Sequence, residues 1–368
     1  MYVRDIATGL LQRGHTPVAF STVLGDVARE MRALTIPVID NLDVLTNAPD
    51  IIHGQHHVET MIAMLHFPDT PAVYFCHGWL PWEENPPRFP RIFRYVAVDH
   101  TTRDRLVFEN GISESRVSVL LNFVDLERFK PRGPLPSRPA RALFFTNDAE
   151  EQTIRVVREA CRRADIALDV MGASSGTACG APERALGGYD LVFAKGRSAI
   201  EAMAVGAAVV ICDISAIGSM VTMCEFDRLR PLNFGIRALK EPINQDSVER
   251  EISRYDATDA TRVSERIRST AGRDSVIDNI LLLYQEVIAE FERTERDVPA
   301  EERAASEYLR WLSPRLKEYE RLNAVVAACE QHIRASESSL AQQLAEKEAQ
   351  LARITGTVGW RLLSLYGR

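Results

Sequence analysis

The stretch Tyr189-Asp-Leu-Val-Phe-Ala-Lys-Gly-Arg-Ser-Ala-Ile-Glu-Ala-Met-Ala-Val-Gly-Ala-Ala-Val-Val-Ile211 decides the fold class. It reads as a buried strand from Asp190 to Ala194, a Lys195-Gly196-Arg197 turn, a helix of small residues around Glu201, and an apolar strand from Ala207 to Ile211. Strand, helix and strand in that order make a βαβ unit. Its turn would set backbone N–H groups, Ser198 and two cations at a helix N-terminus, where orphan donors and the helix dipole stabilise an anionic phosphate. Glu201 lies one turn into the helix, placed to accept hydrogen bonds from sugar or ribose hydroxyls. The same spacing also suits an ordinary strand–helix–strand of a parallel sheet with a surface Lys and Arg.

Outward from this unit, short apolar strands alternate with helices. In the first 131 residues the strands are Pro17 to Thr22, Val38 to Ile39, Ile51 to His53, Ala72 to Cys76, Tyr95 to Val98 and Val117 to Leu121. Such alternation implies a parallel sheet with helices on both faces. A proline-dense linker at 132–140 separates this domain from a second at 141–293, whose strands Ala142 to Thr146 and Ala167 to Gly172 flank a helix from Glu151 to Ala164. A long amphipathic helix from Asp274 to Arg293 closes the second domain. Residues 294–368 form a helical tail rich in Glu, Arg, Ala, Gln and Leu. Tyr319, Leu322, Val326, Cys329 and Ile333 alternate steps of three and four, a short coiled-coil seam that continues with a stutter through Leu340, Leu344 and Leu351. A solvated single helix laced with i,i+4 ion pairs is the alternative. The seam predicts a homodimer or docking on a partner enzyme, with the apolar Trp360 to Tyr366 ending at its tip.

The first residues depart from the pattern. Tyr2 to Gln12 reads as a helix, whereas a doubly wound domain begins with a central strand and a glycine-containing loop. The N-terminal first strand is therefore expected to be missing from this sequence, as in a truncated gene model or a fragment, the alternative being a native protein that lacks a central strand.

Composition narrows the function. A net charge of −7 with no basic domain argues against nucleic-acid binding. Six scattered cysteines without a C-x-x-C spacing argue against structural zinc and a disulfide framework, and fit a reducing cytoplasm. No run reaches the roughly 18 apolar residues of a spanning helix.

Gly-Arg-Ser-Ala-Ile-Glu-Ala-Met-Ala-Val-Gly (196–206), followed by an apolar strand, resembles the donor-site motif of retaining glycosyltransferases with the GT-B fold, family 4-like. Gln12 to Thr22 resembles that family's first helix running into its second strand. Pro49 to His57 resembles its strand ending in a histidine at the cleft, and Arg116 to Pro131 its last N-terminal strand with an Asn-x-x-Asp-x-x-x-Phe-x-Pro ending. The resemblance implies an α/β protein of two doubly wound, Rossmann-like domains facing across a cleft. It implies transfer of a sugar from a nucleotide-diphosphate donor to a saccharide or lipid-linked acceptor, in surface polysaccharide or glycoconjugate synthesis, without metal or other cofactor. The sequence departs from the family at two places. Phe193 stands where a second glutamate is usual, and the neutral-to-acidic segment Ala142 to Ala149 lacks the usual basic pair.

Lys195 and Arg197 are therefore expected to stabilise the leaving diphosphate, with His77 as a third catalytic residue at the end of its strand. Gly196, Ser198 and Glu201 would bind the donor. Gly218, Ser219 and Thr222 would join them from a tight turn approaching the nucleotide. His53, His56 and His57 would shape the acceptor side; their H-x-x-H-H spacing follows a strand rather than lying on one helix face, which disfavours a metal. Aromatics and arginines between Trp79 and Arg94 suit either peripheral contact with the inner face of a membrane or a proline-stiffened loop packed on the domain. A catalytically inactive nucleotide-sugar-binding or scaffolding protein of the same fold is the alternative function.

Overall fold

The computed structural model describes residues 2–146, 150–172, 181–356 and 359. The chain forms two compact units, residues 1–297 and 298–368. The first unit opens with α1 (Tyr2–Gln12), β1 (Ala19–Phe20), α2 (Asp26–Ala33), β2 (Val38–Ile39), β3 (Ile52–Gly54), α3 (His57–His66), β4 (Ala72–Cys76), β5 (Ile92–Ala97), α4 (His100–Asp104) and β6 (Val117–Val119). β1 and β2 make a two-stranded parallel sheet, and β3-β4-β5-β6 a separate four-stranded parallel sheet. A doubly wound sheet joins such sets through one central strand. Among the described residues none lies between β1 and β3.

Every residue of β4 is buried, the mark of a parallel strand covered on both faces. One face of this sheet packs Val73, Phe75, Phe93 and Val96 against Ile6 of α1 and against Ile277, Ile280, Leu283 and Val287. These last four belong to a helix that returns from the C-terminal half, described below. α1 lies against that helix so closely that a Cβ on Gly9 would come within 2.7 Å of Ile277 Cγ1.

The second half contains β7 (Arg141–Phe145), α5 (Glu151–Arg163), β8 (Ala167–Met171), α6 (Pro182–Ala185), β9 (Leu191–Ala194), α7 (Gly196–Val205), β10 (Ala208–Cys212), β11 (Ala216–Met220), α8 (Met223–Leu229), β12 (Leu239–Pro242), α9 (Gln245–Ile252), α10 (Ala257–Thr270) and α11 (Arg273–Phe291). The returning helix is α11. The sheet order is β12-β11-β10-β9-β7-β8, with β10, β9, β7 and β8 parallel. Side chains of β9 alternate between two cores: Val192 and Ala194 meet the α7 layer, Leu191 and Phe193 the α5 layer. The proline-rich linker is pinned to this sheet by Asp190, whose carboxylate pairs with Arg132 at 2.9 Å and accepts the Ala140 and Arg141 amides.

Two antiparallel strands at one edge correct the sequence reading. Gly218, expected in a turn beside a ligand, lies within β11, which pairs antiparallel with β10 and β12. Its lack of a side chain answers to backbone crowding: a Cβ there would sit 2.5 Å from the Ala238 carbonyl oxygen. Ser219 also faces inward from β11 and accepts a hydrogen bond from Lys240 at 2.6 Å.

The second unit is α12 (Val298–Thr355), a helix that continues through Pro314. At 1.5 Å per residue it is about 87 Å long. The expected seam residues Tyr319, Leu322, Val326, Cys329, Ile333, Leu340, Leu344 and Leu351 are all exposed on it. Trp360 to Tyr366 lie outside the described residues, as do Asn147 to Ala149 of the segment lacking the basic pair. No helix among the described residues is long and apolar enough to cross a membrane.

The crowding at Gly218 sets a test. Gly218→Ala must displace the β12 side of the sheet, and an unfolding free energy lower by about 1–3 kcal/mol, read as a lower urea midpoint, is expected. A stability equal to that of the parent would reject the close approach.

Candidate active site

The βαβ unit read from the sequence is present. Lys195 takes an extended conformation before α7, Gly196 enters the helix at φ +60°, and Gly206 ends it at φ +103°, its amide bonding back to Ala202 and Met203. Both glycines sit where a side chain would be strained. The apolar positions of α7 are buried against the sheet, so its N-terminal turn is held rigidly at the C-terminal ends of β9 and β10.

The structure changes the environment of the predicted residues on this turn. Arg197 donates through Nε to Glu201 Oε1 at 2.9 Å and through Nη2 to Asp5 of α1. Asp5 also receives Arg4 at 2.9 Å and Arg128 at 3.5 Å, while Arg4 and Arg128 reach Glu30 and Glu183 at 2.7 and 2.8 Å. Burial pushes the Asp5 carboxyl up, but Arg197 and Arg4 outweigh it and hold Asp5 below the usual carboxylate range. At Glu201 burial prevails over Arg197 and the carboxyl stays above its usual range. The Arg197 charge is thus compensated within the protein. Its guanidinium carbon lies 5.6 Å from the Phe123 ring centroid, and Nη1 is inaccessible with no hydrogen-bond partner among the described residues.

Lys195 is likewise paired, its ammonium donating to Asp213 just beyond β10. Ser198 is half-buried on the first turn of α7. Thr222 precedes α8 in an extended conformation, and its side chain does not cap that helix.

Across from α7, His77 follows β4. Its amide donates to Glu84 at 2.7 Å, and its ring meets Tyr2 edge-on at 4.3 Å between centroids. Burial drives its pKa down to about 3, helped by nearby His53, His56 and Arg197. His77 and Arg197 therefore share one electrostatic neighbourhood, and the imidazole is neutral.

The three histidines expected on the acceptor side separate. His53 stacks on Phe75 at 4.0 Å and shares a hydrogen bond with Tyr284 of α11, so its ring is committed to the interior; burial lowers its pKa to about 3. His56 is exposed at the start of α3. His57 is buried edge-on to Trp82 at 4.6 Å, with a pKa lowered by burial to about 4. Backbone direction separates them: His53 lies in β3, whereas His57 is already on α3. No three His, Cys, Asp or Glu side chains among the described residues are grouped as a metal site requires.

Arg91, read from sequence as a possible membrane contact, is buried and donates to the Phe67 and Thr70 carbonyls at 3.0 and 2.6 Å. It serves the packed-loop reading. Sequence reasoning passed over Asp5, because a carboxylate on an amphipathic helix carries no mark of what it will meet. It also left Asn233 to Arg237 unassigned, although an Asn before Phe-Gly is a signal for left-handed backbone.

Comparison with known proteins agrees with this architecture. Residues 1–128 match the family model described as Glycosyltransferase Family 4. A glycosyltransferase from Rickettsia africae ESF-5 has the same fold, with a TM-score of 0.56 at 15% identity over 78% of this chain and 94% of that one. CalG4, the calicheamicin glycosyltransferase, matches at a TM-score of 0.42 and 15% identity over 76% of this chain and 94% of its own. The pneumococcal O-GlcNAc transferase GtfA, solved with UDP and GlcNAc, matches at 0.41 and 10% identity over 71% of this chain and 60% of its own. No curated protein matches the sequence. The class is therefore that of the GT-B glycosyltransferase fold, with a Glycosyltransferase Family 4 match in its N-terminal half.

The buried histidines make acid sensitivity predictable. His53 and His77 are neutral when folded, whereas the unfolded chain takes up a proton at each near pH 6.5. The unfolded state then binds more protons below that pH, so stability is lost as pH falls from about 6.5 towards 4, by at most about 2 kcal/mol per histidine at pH 5. Urea midpoints between pH 7.5 and 5 should fall less steeply for His77→Phe than for the parent. Equal slopes would show that His77 is not held neutral.

Proposed function

We propose that the protein transfers a sugar from a nucleotide-diphosphate donor to a saccharide or lipid-linked acceptor in glycoconjugate synthesis. The observation that carries this reading is the turn Lys195 to Ser198 at the start of α7, facing neutral His77 across the strand ends, in a chain with the GT-B fold. Ligands of doubly wound sheets gather at such strand ends. In this reading Lys195, Arg197 and the helix N-terminus stabilise the diphosphate as it leaves. Gly196 and Ser198 line the phosphate side, Glu201 takes the donor hydroxyls through its second oxygen, and Thr222 borders the nucleotide. Transfer would retain configuration: the bond from C1 to the diphosphate breaks, the acceptor oxygen bonds to C1, and the acceptor proton passes to the departing phosphate. No metal or other cofactor enters. We place the protein in the cytoplasm, at the inner face of the membrane where a lipid-linked acceptor requires it.

A nucleotide-sugar-binding protein without turnover is the second reading. Phe193 favours it: the side chain points into the core beside Phe144 and Val210, where a carboxylate could not reach a ligand. The pairing of Arg197 with Asp5 and Glu201 favours it also.

A thermal-shift screen with UDP-, GDP- and dTDP-sugars should find one that raises the melting temperature; saturation at a hundredfold over Kd is worth about 2.7 kcal/mol. With that donor, Glu201→Ala should lower sugar transfer at least tenfold while the protein stays folded, since Arg197 keeps Asp5. Unchanged transfer would remove Glu201 from the site. Donor binding without any transfer by the parent would select the second reading.

The exposed seam of α12 leads us to propose that this helix pairs with a copy of itself, docking on a partner enzyme being the rival. Burial of one apolar stripe against another stabilises a helix whose seam is otherwise exposed. Sedimentation of the full chain should give a dimer, and residues 1–297 alone a monomer. Monomers in both would leave the helix to a partner.

A further inference from the structure

Asn233 and Phe234 are consecutive residues in the left-handed region, at φ 49° and 53°. Neither is glycine, and for a bulky residue such as Phe this is an outlier that persists only when the surroundings over-determine it. Those surroundings come from both halves of the chain. The Asn233 side chain is buried, and its Nδ2 donates to the Val98 carbonyl directly after β5. Its Oδ1 accepts the Asn122 amide at 3.2 Å and Arg230 Nη1 at 2.7 Å, and Arg230 Nη2 reaches the Asn122 carbonyl at 2.7 Å. Only this orientation of the amide satisfies all of these groups. Arg230 is buried and makes no ion pair among the described residues, so the two asparagines are its acceptors.

The next residue faces the other way along the chain of contacts. Phe234 is fully buried, edge-on to Phe226 at 5.9 Å between centroids, and its carbonyl accepts the Gly196 amide at 2.9 Å. That amide is the first of α7, on the turn assigned above to the donor phosphate. One side chain thus grips the ends of two strands of the N-terminal sheet, while the adjoining carbonyl occupies a donor of the α7 turn.

We propose that Asn233 is a positioning residue: it transmits the position of the N-terminal sheet, through the strained Phe234 backbone, to the Gly196 amide, and so decides whether that amide is held by protein or offered to a phosphate. The role of the amide rests on the reading of this turn as the donor site; the coupling itself does not. If Asn233 loses its hold on Val98, the two left-handed residues are free to relax and the Phe234 carbonyl turns from Gly196.

The test is hydrogen exchange at the Gly196 amide in the full-length chain without ligand. Asn233→Asp keeps an oxygen for Arg230 and Asn122 and tolerates the backbone, but removes the donor to Val98. Asn233→Gly tolerates the backbone and removes the whole side chain. In both, Gly196 should exchange at least tenfold faster while Val192 and Phe193 of β9 keep the parent's rates. Should Asn233→Gly not fold, Asn233→Asp decides alone. Parental exchange at Gly196, or acceleration spread equally over β9, overturns the coupling. UDP binding supplies the second readout: a several-fold change in its Kd with Asn233→Gly is expected if the turn binds phosphate. Faster Gly196 exchange with no binding of UDP, GDP or dTDP by parent or variant would leave the coupling standing and end the donor reading.

Discussion

The Arg197 guanidinium joins the two halves of the first unit at the candidate site. Arg197, on the first turn of α7, lies between Asp5 of α1 and Glu201 of its own helix. A half-desolvated arginine needs carboxylates at hydrogen-bond distance, and breaking one member of such a set leaves the remainder with an uncompensated charge. The position of α1 is therefore tied to that of α7. Arg4 and Arg128 extend the tie to Glu30 and Glu183, so the network spans α1, α2, the segment after β6, α6 and α7.

This arrangement accounts for the neighbouring chemistry. Tyr2, carried by the same α1, closes over His77 and packs at 5.2 Å on Phe123, which in turn lies beside Arg197. The ring is thereby partly desolvated, and desolvation together with the nearby guanidinium disfavours the imidazolium. A neutral histidine opposite a compensated arginine makes a site whose net charge is small. On the proposed reading, the positive field for a diphosphate would come from oriented amides and from partners exchanged as the ligand enters. The left-handed Asn233–Phe234 pair stands where one of those amides is held.

Much of the architecture was legible because it rests on local pattern. The apolar runs at 72–76 and 191–194 read as strands, and the structure buries every residue of both. The helix from Tyr2 to Gln12 was equally plain. Gly218 was misread for a physical reason: a glycine required by a ligand and one required by a neighbouring carbonyl look alike in sequence. The cluster at 53–57 was misread as one surface because a strand passes into a helix inside it, turning His53 towards Tyr284 and His57 towards Trp82.

The sequence alone determined the periodicities, and through them the βαβ order and the long terminal helix, because burial on one face or two imposes a spacing that each segment carries within itself; the GT-B class was implied by the resemblance of the 196–206 motif. It determined also which side chains could do chemistry at the α7 turn. Only the tertiary structure decided what those side chains touch. Asp5 and Arg197 are 192 positions apart, and Asn233 meets Val98 across 135. Electrostatic and hydrogen-bond partners are selected by proximity in space, at separations where no local spacing survives, and the charge state of the site follows from those partners rather than from the residues that sequence names.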